Sequence, residues 1–268
     1  MPEIAISALP SARVMTLGLI AATAGNFAVY SLNDILDHRV DRRSLEFGKA
    51  ERDASDFAVA VRKHPLAWGD ISLAVSITWV ASLGLTAAVI AYVLNPACLA
   101  AFGGCVALEV TYCALRKLTW MKTFLSGAMV SLGALAGLLA VAPLDTRAIY
   151  LFAFLALWEI YGRNFSNDLA DVKSDSSVGI KTVATTFGNK TSAYSILLGA
   201  AATIMFPLVM PMPWLSRIIA VAIGVPTMLL PAIELAKEPT SERSGAYFNK
   251  ASYYPVYFLV TLLPLLWS

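Results

Sequence analysis

The sequence predicts an all-α, polytopic transmembrane helix bundle of about eight spans, read as one domain over residues 1–268. Three observations carry that prediction. Of the 268 residues, 58% are hydrophobic and only 14% charged, against about 25% charged in a soluble domain. Eight apolar segments reach spanning or near-spanning length. An acidic pattern, N-D-x-x-D-x-x-x-D, occurs twice, each time directly after such a segment.

The segments cover residues 14–32, 71–94, 97–115, 123–141, 148–167, 193–210, 218–235 and 253–267. The fifth is apolar only to Ile160 and then runs through Tyr161, Gly162, Arg163 and Asn164. A polar helix end at membrane depth is expected to line a cavity rather than face lipid. Pro226 and Pro231 are expected to kink the seventh segment, and Pro255 and Pro264 the short eighth. Cys98, Cys105 and Cys113 recur at helical spacing within the third and read as small packing residues without metal-ligand spacing. Residues 54–61, in the connection after the first segment, read either as an amphipathic surface helix or as a plain loop.

Charge orients the bundle. The connections after segments one, three, five and seven, with the polar end of the fifth segment, hold 17 of the 20 basic residues, and the other side holds only Arg13, Arg147 and Arg217. By the positive-inside rule the basic connections are cytoplasmic. Both acidic motifs then lie on the cytoplasmic side, four spans apart, as in an internal repeat of two motif-bearing halves with a site between them. The net charge of +2 excludes no partner class, and nothing in the pattern points to nucleic acid.

The first motif is Asn33-Asp34-Ile35-Leu36-Asp37-His38-Arg39-Val40-Asp41; the second is Asn167-Asp168-Leu169-Ala170-Asp171-Val172-Lys173-Ser174-Asp175. On a helix, acids at i, i+3 and i+7 fall within roughly 60° of one another. Each copy thus points three carboxylates one way, at what reads as a helix C-terminus, where the helix dipole disfavours negative charge. Six such acids imply a compensating cation, and oxygen-only ligands suggest Mg²⁺, which retains water and binds substrate phosphates. The plainer alternative is two solvated loop starts. Glu109 and Glu159 lie within apolar segments, where a paired or functional role is the default. Glu159 stands four residues before Arg163, the favourable order for an ion pair; Glu109 has no evident partner. His38 and His64 read as surface histidines. Most tryptophans read as an interfacial belt, with Trp158 the one to consider for the cavity.

These motifs resemble the UbiA superfamily of intramembrane prenyltransferases. So does the run from Gly162-Arg163-Asn164 through Gly179-Ile180-Lys181-Thr182 to Phe187-Gly188, and so does Tyr112-Cys113-Ala114-Leu115-Arg116-Lys117-Leu118-Thr119. The resemblance implies nine helices around a central cavity open to the bilayer. It implies Mg²⁺ as cofactor, an isoprenoid diphosphate as substrate and a small lipophilic acceptor. By position it makes Asp34, Asp37 and Asp41 one metal-binding set and Asp168, Asp171 and Asp175 the other. Asn33 and Asn167 would orient ligands, and Tyr112, Arg116, Lys117, Arg163, Asn164 and Lys181 would bind substrate. For Arg116, Lys117 and Lys181 the alternative is ordinary positive-inside charge, and for Tyr112 an interfacial belt. Two departures stand out. The family carries a helix ahead of the first motif helix, whereas residues 1–10 are too few to span, so a gap is expected in the cavity wall. Its Arg-Pro-rich stretch after the first motif is here the proline-free run of residues 42–52, with Lys49 as the substitute base.

The reading is an Mg²⁺-dependent intramembrane enzyme transferring a prenyl group from a diphosphate to an aromatic or other lipophilic acceptor. A terpene cyclase of the same superfamily is the alternative. A divalent-cation transporter is more distant, because the acids stand at helix ends rather than at mid-depth. Sidedness is testable with single cysteines in a background lacking the native three. Cysteines at Ser44 and Ser176 are expected to react with an impermeant maleimide only from the cytoplasm, and one at Thr146 only from outside. Opposite labelling of 44 and 176 would rule out a shared site.

Overall fold

The computed structural model describes residues 10–50 and 64–262, apart from the side chains of residues 46–50 and 261–262. The possible surface helix at 54–61, the Lys49 side chain and Trp267 lie outside the described residues. Every regular element among those described is helical.

Helix α1 runs Ala12–Ala50, well past the predicted end at residue 32. No glycine or proline interrupts residues 26–47, so nothing ends the helix at the membrane surface. The first motif therefore sits inside a helix, not at its C-terminus, and the dipole penalty expected there does not apply. The chain returns through a short helix, α2 (Pro65–Trp68), opened by Pro65 and closed by Gly69 in the left-handed region.

Two antiparallel pairs follow. In α3 (Leu73–Leu94), Ser72 caps the start by accepting from the Val75 amide at 3.3 Å. Asn95 opens α4 (Pro96–Leu115) by accepting from the Ala97 amide at 2.9 Å. Its amide nitrogen donates to Leu139 O at 2.9 Å, so one side chain both caps α4 and satisfies a terminal carbonyl of α5 (Thr123–Leu139). The fifth predicted segment is a single rod built of α6 (Thr146–Leu157), a wide π turn (Trp158–Asn164) and α7 (Phe165–Ala170). Short helices α8 (Val172–Val178) and α9 (Val183–Phe187) connect it to α10 (Asn189–Met205). A second π turn, Val225–Leu229, takes up Pro226 between α11 (Trp214–Gly224) and α12 (Leu230–Lys237). The last pair, α13 (Ser241–Ser252) and α14 (Tyr254–Leu262), begins well before the predicted eighth segment.

Six helices among the described residues are long and apolar enough to cross a membrane: Ala12–Leu45, Leu73–Leu94, Pro96–Leu115, Trp120–Leu139, Asn189–Val209 and Trp214–Lys237. The predicted count of eight included the α6–α7 rod, which carries Glu159 and Arg163, and a final segment that ends beyond the described residues.

Lipid gives apolar helices no reason to hide apolar side chains, so contacts depend on close approach of small residues. The seam between α1 and α3 follows that rule. Ala24, Ala28, Ala87 and Ala91 are buried there, and a Cβ on Gly25 would meet Ala87 Cβ at 3.5 Å, while Leu19 and Leu85 face outward. The cysteines behave as expected, all buried and free, with Cys98 Sγ at 3.2 Å from Ala136 O and Cys105 Sγ at 3.4 Å from Met129 O.

The main buried core gathers Phe154, Leu169, Ile196, Met228, Leu235, Tyr247 and Tyr254 around the α6–α7 rod. Helix α13, polar in composition, packs on this rod through polar contacts: Ser244 Oγ donates to Ser166 O at 2.7 Å, and Tyr247 Oη to Tyr161 O at 3.1 Å. A cavity of about 560 Å³ between the start of α1 and the end of α3, lined by Arg13, Thr16 and Val93 among others, holds no acid and stands away from both motifs.

Among the described glycines, Gly199 of α10 is the most closely covered, by the Tyr161 ring. A Cβ added at Gly199 would stand 2.0 Å from the ring, whereas one at Gly133 would meet nothing within 4 Å. Gly199→Ala is therefore expected to destabilise by about 1–3 kcal/mol through overpacking, and Gly133→Ala to be neutral, as read from melting temperatures in detergent.

Candidate active site

In the first motif, helical phase divides the acids. Asp34 and Asp41, seven residues apart, lie about 20° apart around the helix, whereas Asp37 is turned about 40–60° from both. Asp37 is buried against α4, ion-paired with the Arg116 guanidinium, which also donates to Cys113 O at 3.1 Å. Asp34 and Asp41 face His64, whose Nδ1 is 2.7 Å from Asp34 Oδ1 and 3.3 Å from Asp41 Oδ2. Asn33 Nδ2 donates to Glu109 Oε1 at 2.6 Å, and Cys113 Sγ approaches the same oxygen at 3.3 Å. The buried Glu109 thus has its partner, and that partner belongs to the motif.

The second motif does not lie on one straight helix. The chain bends at Asp171 (φ −94, ψ 11). The bonds Asp171 N to Asn167 O and Asp175 N to Asp171 O, both 2.9 Å, carry the helical ladder across the bend. Asp168 is buried; it accepts from Thr123 Oγ1 at 3.4 Å and lies 3.8 Å from Lys122 Nζ. Lys122 is itself buried and donates to Tyr112 Oη at 2.9 Å. Asn167 is exposed and donates to Asp171 Oδ2 at 3.2 Å. Burial above all, then the charges of Asp168 and Asp171, push the Asp175 carboxyl up to about 8.

The two motifs face one another. Helix α1 packs against α8. Lys122 stands where its charge acts on Asp37 of the first motif and on Asp168 and Asp175 of the second. The Lys181 amide donates to Arg116 O at 2.7 Å, joining the loops that carry both bases. Asp34, Asp37, Asp41, Asp168, Asp171, Asp175, Asn33, Tyr112 and Arg116 therefore surround one region.

The other predicted residues differ in exposure and partners. The Lys117 and Lys181 side chains are exposed. Arg163 makes the expected ion pair with Glu159 at 3.3 Å and lies over the rings of Trp158 and Phe248. Trp158 donates to Ala251 O at 2.8 Å within the core and is not a cavity residue. Asn164 stands beside Tyr112, its Oδ1 buried without a hydrogen bond from any described residue. The sequence reading missed Lys122, Thr123 and His64. Lys122 shares a connection with two other bases, and no local pattern separates it from them. His64 read as a surface residue, yet it closes on Asp34 and Asp41, well back along the chain in a different helix.

A membrane-spanning bundle with two acidic motifs facing each other across interleaved bases defines a class: polytopic membrane proteins with a polyacidic site at one end of the helices. The chain belongs to the UbiA prenyltransferase family, whose model matches residues 4–262. No curated protein matches it by sequence. Among solved structures it is similar to an apo UbiA homologue from Aeropyrum pernix K1, at 18% identity and TM-score 0.66, over 94% of this chain and 91% of that one. It is also similar to a UbiA homologue from Archaeoglobus fulgidus bound to GPP and Mg²⁺, at 15% identity and TM-score 0.66, over 93% and 88%. A digeranylgeranylglyceryl phosphate synthase structure aligns at 18% identity and TM-score 0.64, over 96% and 86%. At these identities the likeness establishes the fold.

Lys122 and Lys117 offer a sharp contrast. Removing the buried partner of Asp168 leaves a carboxylate uncompensated, so Lys122→Met is expected to cost roughly 3 kcal/mol. Adding Asp168→Asn should recover part of that loss. Lys117→Met should stay within about 0.5 kcal/mol of wild type. Equal melting shifts for the two lysine variants would contradict the pairing.

Proposed function

We infer that the protein is an Mg²⁺-dependent intramembrane prenyltransferase that ionises an isoprenoid diphosphate and passes the prenyl group to an aromatic or other lipophilic acceptor. The observation that carries this reading is the pair of facing aspartate motifs with Lys122 and Arg116 between them. A diphosphate needs that combination: acids to hold divalent cations, and fixed bases to take up charge on the leaving group. The structures of the Archaeoglobus fulgidus homologue with GPP and with DMAPP, each with Mg²⁺, support the same ligand chemistry here.

The donor set fits a hard divalent cation. Ligand oxygens of Asp34 and Asp41 lie within 4.8 Å of one another, and burial of the second motif, with its neighbouring acids, favours a proton on Asp175 when no cation is present. In this reading the motif aspartates hold Mg²⁺, which when bound neutralises the diphosphate and stabilises it as a leaving group. Lys122 and Arg116 add positive charge from fixed positions. Glu109 orients Asn33. Apolar helix walls keep water from the allylic cation, and the site opens on the cytoplasmic side, where the basic connections lie.

Purified protein with Mg²⁺ and geranyl, farnesyl or geranylgeranyl diphosphate should release diphosphate. Asp34→Asn or Asp168→Asn should each lower that rate about 100-fold or more, and Glu242→Gln, at an exposed acid on α13, should not. Full activity in both folded aspartate variants would sink the proposal. A cyclic hydrocarbon or alcohol formed without acceptor would identify cyclisation in place of transfer.

Metal affinity carries a pH signature. Below about pH 8 a cation must displace the Asp175 proton. Mg²⁺ affinity should therefore rise about tenfold per pH unit up to that point and level off above it. Asp175→Asn should flatten the profile in calorimetric titrations.

A further inference from the structure

The function proposed above does not require a nitrogen ligand, yet a nitrogen stands inside the first acidic cluster. His64 belongs to a different element from Asp34 and Asp41, and its ring reaches both. With metal–ligand bonds of about 2.1 Å, neighbouring ligands on an octahedron stand about 3.0 Å apart. The observed separations of 2.7 Å and 3.3 Å bracket that value. Asp41 Oδ2 is buried with no hydrogen-bond partner among the described residues. The three side chains remain partly open, with exposures of 36% for His64, 28% for Asp34 and 17% for Asp41, so an ion can enter.

The backbone holds the ring there under strain. His64 has φ 61 and ψ 60, the only non-glycine residue with positive φ among those described, and it precedes a proline. That conformation costs about 1–3 kcal/mol and persists where surrounding structure over-determines it. Here Pro65 starts α2, which packs on α1. Helix packing, not local preference, delivers the imidazole to the acids.

Resting on the Mg²⁺ reading, we propose that His64 is a ligand of the divalent cation held by Asp34 and Asp41, making this half of the site a mixed nitrogen–oxygen centre. The consequence is ion preference. Imidazole adds little to Mg²⁺, which favours oxygen and water, but strengthens binding of first-row transition ions. This site then binds Mn²⁺ over Mg²⁺ by a wider margin than an oxygen-only site of the same shape.

The chain has two histidines, which makes the test clean. Full-length protein in detergent is loaded with Mn²⁺ and inorganic diphosphate and examined by electron spin-echo envelope modulation. Wild type should show imidazole nitrogen coupling, and ¹⁵N-histidine labelling should shift it. His38→Gln should keep the coupling, with His64 its only remaining histidine. His64→Asn, which tolerates the left-handed backbone, should lose the coupling and narrow the Mn²⁺-over-Mg²⁺ preference about tenfold in competition titrations. Mn²⁺ bound to wild type without imidazole coupling, or coupling lost only in His38→Gln, overturns the His64 assignment and leaves the proposed activity standing. Failure of wild type to bind Mn²⁺, or equal binding by Asp34→Asn and Asp168→Asn, overturns the metal reading itself and this inference with it.

Discussion

Packing like-charged acids at one end of a membrane bundle is the constraint on which the rest of this structure depends. Two carboxylates about 4 Å apart repel by roughly 4 kcal/mol at the effective dielectric of a protein surface, and burial removes the water that would relieve them. The fold answers with partners drawn from separate elements, two of them fixed positive charges and one a ring nitrogen. Arg116 comes from the end of α4, Lys122 from the turn before α5, and His64 from the turn before α2. Each requires its element to sit at a set height against α1 or α7. The backbone bond from Lys181 to Arg116 O and the contact of α1 with α8 follow the same requirement.

The second half of the chain provides the platform. Around the π turn Trp158–Asn164 the helical ladder is irregular, and such turns recur at functional sites. Tyr247 of α13 bonds the Tyr161 carbonyl, Ser244 bonds the Ser166 carbonyl, and Trp158 bonds the Ala251 carbonyl. Gly199 leaves room for the Tyr161 ring. These contacts anchor the rod just ahead of Asp168. They explain why a polar helix, α13, belongs to the bundle although its composition resembles a connecting loop.

Much of the site was legible because its signals are local. The repeated acid spacing marked both motifs, and the order Glu159 to Arg163 marked an ion pair that is present at 3.3 Å. The seven- and eight-residue spacing of the cysteines marked a buried face. Where local signals misled, a neighbouring element was responsible. Apolarity stopped at Leu32, but the helix did not, because helix continuation depends on the absence of breakers rather than on hydropathy. Residues 241–252 looked like a connection because their buried polar atoms are satisfied by the α6–α7 rod, a partner about eighty residues earlier.

By itself the sequence determined the class: membrane-spanning helices and two acidic motifs, with the distribution of basic residues predicting both motifs on one side of the bilayer. These follow from composition and from the 3.6-residue period, which act along the chain and need no partner. Only the tertiary structure decided which base meets which acid: Arg116 on Asp37, Lys122 on Asp168, and His64 between Asp34 and Asp41. The reason is geometric. Helical phase sets the direction in which each carboxylate points, but what stands in that direction depends on the packing of helices far apart in the chain.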